Sequence, residues 1–177
     1  MKLLIFGASG SGTTTLGKAI AKELNGTHLD ADDYYWKKTV PPFQEKIPLK
    51  ERHTQLKNDF QKDIRVVISG SLVSWSTYWT TAFDLAIFLH IPSETRMERL
   101  RLREVERYGE LLKTDTKTIA DSRAFLDWAK QYDDPNFEGR GITQHTDYME
   151  RLSCHTLKIN STGSVREHLA LVKAAMH

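Results

Sequence analysis

Apolar positions along this chain fall into five short runs rich in Val, Ile, Leu and Phe: Lys2 to Phe6, Thr27 to Asp30, Arg65 to Ser69, Leu85 to Ile91 and Thr156 to Ile159. Between them the apolar residues recur at helical spacing. That alternation predicts a parallel sheet with helices on both faces. The first helix should start near Thr13 and stop at Asn25-Gly26, a good C-terminal signal. Further helices are expected from Leu49 to about Asp63, briefly from Ser74 to Thr80, and after Pro92-Ser93 with Met97, Leu100 and Tyr108 turned inward. Others should cover about Thr118 to Gln131 and Thr143 to Leu152. The last helix opens on a capping box, Ser164 with Glu167, ahead of Leu169, Leu171 and Val172. Two stretches, Ala31 to Pro48 and Gly109 to Gly141, read as inserts on this frame.

A length of 177 residues suits one domain spanning 1–177 with a substantial core. Lys and Arg total 25 against 23 Asp and Glu, a formal charge of +2, so nothing in the balance points to a nucleic-acid polymer or a membrane surface. One cysteine, Cys154, excludes an internal disulfide and a Cys-based zinc site and suits a reducing compartment. The apolar run at the start is too short for a signal peptide, and Phe83 to Ile91 falls far short of the roughly 20 residues of a membrane span. A cytoplasmic protein is expected, with monomer and homodimer both open.

The sequence Gly7-Ala8-Ser9-Gly10-Ser11-Gly12-Thr13-Thr14 stands between the first strand and the first helix. It reads as the phosphate-binding loop G-x-x-x-x-G-K-[ST] with Thr13 in place of the lysine. Backbone amides from Ser9 to Thr14 and the positive end of the helix would still form an anion cradle. Gly7, Ser9, Gly10, Ser11, Gly12, Thr13, Thr14 and Thr15 are thus the candidate nucleotide-binding residues, with the Thr14 hydroxyl placed for Mg²⁺. Losing the lysine removes a charge-assisted contact worth on the order of 1.5–3 kcal/mol, so another cation should compensate. A tight packing turn is the plain alternative. A weaker rival is a dinucleotide fold binding NAD(P), since Gly7, Gly10 and Gly12 loosely echo its fingerprint, Asp30 stands near the ribose position, and Tyr34 and Lys38 have a reductase-like spacing.

The chain resembles the nucleoside and nucleotide kinase-like P-loop family, which includes adenylate, cytidylate and shikimate kinases. The resemblance covers most of the chain. It rests on the loop Gly7 to Thr14, the Asp30-Ala31-Asp32 pair, the Ser69-Gly70-Ser71 turn, the arginine-bearing stretch Pro92 to Arg107 and the turn Asn160 to Ser164. Archaeal-type cytidylate kinases have a similar Gly-Ser-Gly-Thr-Thr-Thr loop. Adenylate kinases usually carry an acidic residue where Ser69 stands, whereas shikimate and gluconate kinases share the Asp-x-Asp ending strand two. The resemblance implies a P-loop NTPase α/β/α sandwich with five parallel strands in the order 2-3-1-4-5. It also implies an acceptor-binding insert at about 31–64 and a lid at about 104–142 that closes over ATP.

On that reading Asp30 positions Mg²⁺ or its waters, and Asp32 takes the proton of the attacking hydroxyl; the bland alternative is a solvated acidic turn. Arg96, Arg99, Arg103 and Arg107 share one helix face, where neighbouring glutamates could equally pair them. Arg103, Arg107 and, third, Arg140 are the candidates for transition-state charge and for the missing ammonium at Thr13. Tyr34, Tyr35, Trp36, Phe43, Trp75, Tyr78 and Trp79 would either stack a planar substrate or form a small core. The turn Asn160-Ser161-Thr162-Gly163 resembles the family's adenine-contacting loop, or simply caps a helix. The expectation is a P-loop small-molecule kinase moving the γ-phosphoryl of ATP to a nucleoside, nucleotide or hydroxy metabolite. A nucleotide-binding module or slow NTPase is the alternative.

Overall fold

In a computed structural model, which describes residues 1–176, five strands form one parallel sheet in the order β2-β3-β1-β4-β5. The strands are β1 (Lys2–Gly7), β2 (Thr27–Asp30), β3 (Val66–Ser69), β4 (Leu85–His90) and β5 (His155–Asn160). All four pairings are parallel, with Leu3 opposite Val67 of β3 and Leu85 of β4. Because successive side chains on a strand point to opposite faces, the central strands feed two separate cores. Leu3, Ile5, Val67, Leu85, Ile87 and Leu89 pack against Leu16 and Ile20 of α1 (Thr13–Glu23) and Val172 of α8 (Val165–Ala175). Leu4, Phe6, Ile68, Ala86 and Phe88 pack on the other side, against Leu56 and Phe60 of α3 (Leu49–Gln61) and Tyr148 of α7 (Ile142–Arg151).

The strand order is the one the family resemblance implies. It is not the 3-2-1-4-5-6 order of a dinucleotide fold. Nor is Tyr34 available as a catalytic phenol, since its hydroxyl donates to Asp59 Oδ2 of α3 at 2.7 Å and burial raises its pKa. The NAD(P) reading therefore falls.

Several element expectations need correction. The Ala31–Tyr35 stretch forms a short helix, α2, because Asp30 caps it by accepting from the Asp32 amide. Between Ser74 and Thr80 only a 3-10 turn forms, Thr77–Thr80, opened by the Ser76 hydroxyl, which accepts from the Tyr78 amide, with Trp75 and Trp79 both buried. After α4 (Ser93–Tyr108) comes the unexpected α5 (Leu111–Thr114), and then α6 (Thr116–Lys130), capped by Asp115. Met97 and Leu100 of α4 are buried, while Tyr108 is only half-buried. The capping box of α8 is present as expected. Among the described residues no helix is long and apolar enough to cross a membrane.

Candidate active site

The carboxyl edge of the sheet gathers the loop after β1, the end of β2 and the turn after β3. Parallel strands deliver all their connections to helices at this edge, so groups distant in sequence meet there. Gly12 immediately precedes α1 with φ 91° and Gly10 has φ 85°, a left-handed backbone that side chains resist. At Gly10 an added Cβ would also crowd Leu100 of α4, 3.1 Å away, and the Arg96 carbonyl, 3.2 Å away.

No side chain caps α1, so the amides of its first turn keep the partial positive charge that attracts phosphate. The Thr14 hydroxyl donates to Asp30 Oδ2 at 2.7 Å, and Asp30 Oδ1 accepts from the Asp32 amide at 3.0 Å. Both carboxylate oxygens are thereby oriented. Thr13 and Thr14 are half-buried and Thr15 is exposed. Ser11 differs from its neighbours: its amide donates to the Ala8 carbonyl, and its buried hydroxyl lies against Gly7 and has no partner among the described residues. Ser11 therefore shapes the loop from inside it.

Solvent reaches Asp32, yet protein crowds the carboxylate closely enough to push its pKa up, and the Asp30 charge adds to the effect. Opposing that rise are Arg140, Arg103 and Arg107. The charges of the three arginines singled out from sequence thus all act on Asp32, the carboxylate expected from sequence to accept the proton. Their circumstances differ. Arg107 pairs with buried Glu104 at 3.3 Å and lies 4.3 Å over the Phe43 ring. Arg103 has a buried Nε with no acceptor and, among the described residues, no ion pair; burial and the neighbouring Arg107 lower its pKa. Arg140 lies 5.4 Å over Trp128, likewise without an ion pair among the described residues.

Arg96 leaves the arginine face. Fully buried, it donates to the Ala129 carbonyl and pairs with Asp133 at 2.6 Å, tying α4 to the end of α6. Arg99 reaches the Ser161 carbonyl at 3.4 Å, in the turn after β5 where Asn160 Oδ1 accepts from the Thr162 amide.

The aromatic residues divide. Trp75 and Trp79 are core, with Tyr34, Tyr35 and Tyr78 packed against it, while Trp36 and Phe43 meet edge to face. One functional candidate escaped sequence reasoning. Arg52 of α3 is only 8% exposed, its guanidinium carbon lies 4.1 Å from the Tyr35 ring and 5.0 Å from Trp75, and its buried Nε has no acceptor. Among the described residues no carboxylate pairs with it. A desolvated guanidinium held between aromatic faces is a receptor for an anion. Tyr35 stands three residues after Asp32 on α2, hence on the same side of that short helix.

Residues 3–119 match the AAA_18 family model, described as an AAA domain. Uncharacterized protein YqaC of Bacillus subtilis (strain 168) is 41% identical over 165 residues, 93% of this chain and 91% of its own. A cytidylate kinase of Haloarcula marismortui is 26% identical over 137 residues, 70% of this chain and 69% of its own. The crystal structure of shikimate kinase from Bacteroides thetaiotaomicron superposes with a TM-score of 0.63 at 16% identity, covering 99% of this chain and 98% of that one. The chain belongs to the AAA_18 family of AAA domains, and its fold is that of the P-loop nucleotide and shikimate kinases.

Proposed function

We propose that the protein is an ATP-dependent phosphotransferase that moves the γ-phosphoryl group to the hydroxyl of a small acceptor carrying an anionic group. The observation that carries this reading is the Thr14 hydroxyl bonded to Asp30 at the uncapped N-terminus of α1, with Asp32 two residues further on under the charges of Arg103, Arg107 and Arg140. The kinase names among the relatives and the kinase fold support it. The acidic and basic groups have complementary tasks. Asp32 accepts the proton of the acceptor hydroxyl as its oxygen bonds to the γ-phosphorus, while the bond from that phosphorus to the β-phosphate oxygen breaks and ADP departs. Arg103 and Arg140, neither neutralised by a carboxylate, offset the negative charge that spreads over the transferring group.

The donor set at Thr14 and Asp30 fits Mg²⁺, a hydroxyl and a carboxylate already aligned by their 2.7 Å hydrogen bond. Bound there, Mg²⁺ would neutralise charge on the phosphates. The loop amides and the first turn of α1 hold the phosphate chain, and the arginines supply the charge that Thr13 does not. The region at about 31–64 serves the acceptor and the region at about 104–142 closes over the nucleotide.

Arg52 narrows the acceptor. An anion seated on it favours a nucleotide or a hydroxy acid over an uncharged nucleoside. The test measures ADP formed from ATP and Mg²⁺ with CMP, cytidine, shikimate or methyl shikimate. We expect ADP release to depend on a charged member of this set, with its uncharged counterpart much poorer. One slow rate with every addition would overturn the transfer reading in favour of an NTPase, which the missing ammonium at Thr13 otherwise favours.

A further inference from the structure

Single apolar side chains scattered over a surface need no explanation, but a cluster of them marks a contact. Leu102, Val105, Leu111 and Ile119 are large, exposed and gathered on α4, α5 and α6. Leu102 and Val105, at 65% and 60%, keep more than half of their surface in water. The four border one groove of about 400 Å³. Arg101, beside Leu102, and Leu112, beside Leu111, both line it, as do Ile119 itself, Met97 and Leu126.

Helical spacing sets a ridge beside this groove. Glu98, Arg101, Leu102 and Val105 stand at i, i+3, i+4 and i+7 and are all exposed, so they form one stripe along α4, extended at its N-terminal end by Glu94. The stripe is acidic where α4 begins and apolar where it ends. The groove carries the opposite charge. Among the described residues that line it, Arg101, Arg123 and Lys130 are cationic and Asp127 alone is acidic. The ion pairs nearby, Arg107–Glu104, Lys113–Glu110 and Lys117–Asp121, involve none of these cations. An occupant that fits must bring an apolar ridge with a carboxylate beside it. This chain displays that combination itself, in Leu102, Val105 and Glu98. A two-fold axis across α4 sets two copies of the helix antiparallel, so that each ridge meets the other copy's groove and each Glu98 comes alongside Arg101 of the other copy.

We infer that this face of α4, α5 and α6 joins two copies of the chain into a homodimer. Arg103 and Arg107 lie on a different stripe of α4 and outside the groove, so the pairing leaves free the side chains assigned to phosphoryl transfer. The dimer does not depend on what reaction the site performs.

Sedimentation equilibrium of the full chain between about 1 and 100 μM should give twice the single-chain mass of 20.3 kDa. The single-chain mass throughout would overturn the inference and leave the groove to a different partner. Leu102→Glu, which sets a charge in the middle of the ridge, should raise the dissociation constant by roughly 100-fold or more, and Val105→Lys should do the same. Leu171→Glu, at an exposed leucine of α8, should leave the dimer intact, with circular dichroism confirming that all three variants fold. A dimer untouched by both ridge variants, or broken by Leu171→Glu, would refute the assignment of this face. Glu98→Arg and Arg101→Glu should each weaken association about tenfold, and the two together should largely restore it, because the pair between copies re-forms with its signs exchanged. A double variant as weak as the singles would rule out the antiparallel pairing.

Discussion

Asp30 has both oxygens engaged, one by the Thr14 hydroxyl and one by the Asp32 amide, so its charge and its geometry are separable by mutation. Asp30→Asn keeps the shape and removes the charge, and it also faces the Thr14 hydroxyl with a donor in one amide orientation. We expect turnover to fall by about 10- to 100-fold, with thermal unfolding little changed. Thr14→Ser keeps the hydroxyl and should stay much nearer the parent than Thr14→Val. The arginines make a sharper comparison. Among the described residues Arg103 and Arg140 have no ion-pair partner, whereas Arg107 is held by Glu104 and Phe43. If free positive charge is what the transferring group meets, Arg103→Ala and Arg140→Ala should each lower kcat by roughly 10³-fold, and Arg107→Ala by far less. Equal losses at all three would argue against this division of roles.

At the scale of elements, α7 is anchored through a side chain that must stay neutral. Burial holds the His145 pKa near 3, well below the usual 6.5. The native state therefore resists a proton that the unfolded chain binds below about pH 6.5. The stability this represents is fully present above that pH and is lost as pH falls from 6.5 toward 3, at up to about 1.4 kcal/mol per pH unit. Melting temperatures at pH 7 and pH 5 should drop more for the parent than for His145→Gln, since His28 and His53 remain in both. Elements of this kind differ in how far the sequence reveals them. The five strands were legible because strands covered on both faces leave near-continuous apolar runs, and the phosphate loop because its residues are contiguous. The five-residue α2 is too short to show a helical period, and its cap, Asp30, also reads as a metal ligand. Arg52 sits on α3 among Lys50, Glu51 and Lys57 and reads as a solvated position. Its aromatic surroundings exist only because Tyr35 and Trp75, far apart in the chain, both pack against it. Arg96 misled for the converse reason, since helical spacing gives its direction but not the Asp133 and Ala129 groups that meet it.

At the scale of the molecule, the segment after α2 reaches across to the α4–α6 side. Trp36 and Lys46 form an antiparallel bridge, and the loop between them turns back through Phe43, whose φ of 64° is unfavourable for a residue with a side chain. Contacts at the tip hold it there: Phe43 packs edge-on to Trp36 and under the Arg107 guanidinium, and Lys117 of α6 donates to Gln44. The regions at about 31–64 and about 104–142 are thus joined through the same few side chains. A cation–π contact of this exposure is worth on the order of 0.5–1 kcal/mol, so removing it should ease local opening rather than unfold the protein. In Phe43→Ala we expect backbone amides from 37 to 47 and in α5 to exchange hydrogen roughly two- to fivefold faster, with those of the sheet unchanged. Arg107→Ala should reproduce the effect from the other side. Both variants delete the shared Phe43–Arg107 contact and each also loses one of its own, to Trp36 or to Glu104, so the double variant should exchange more slowly than the product of the two single effects, and the full product would mean that the two residues stabilise the bridge independently.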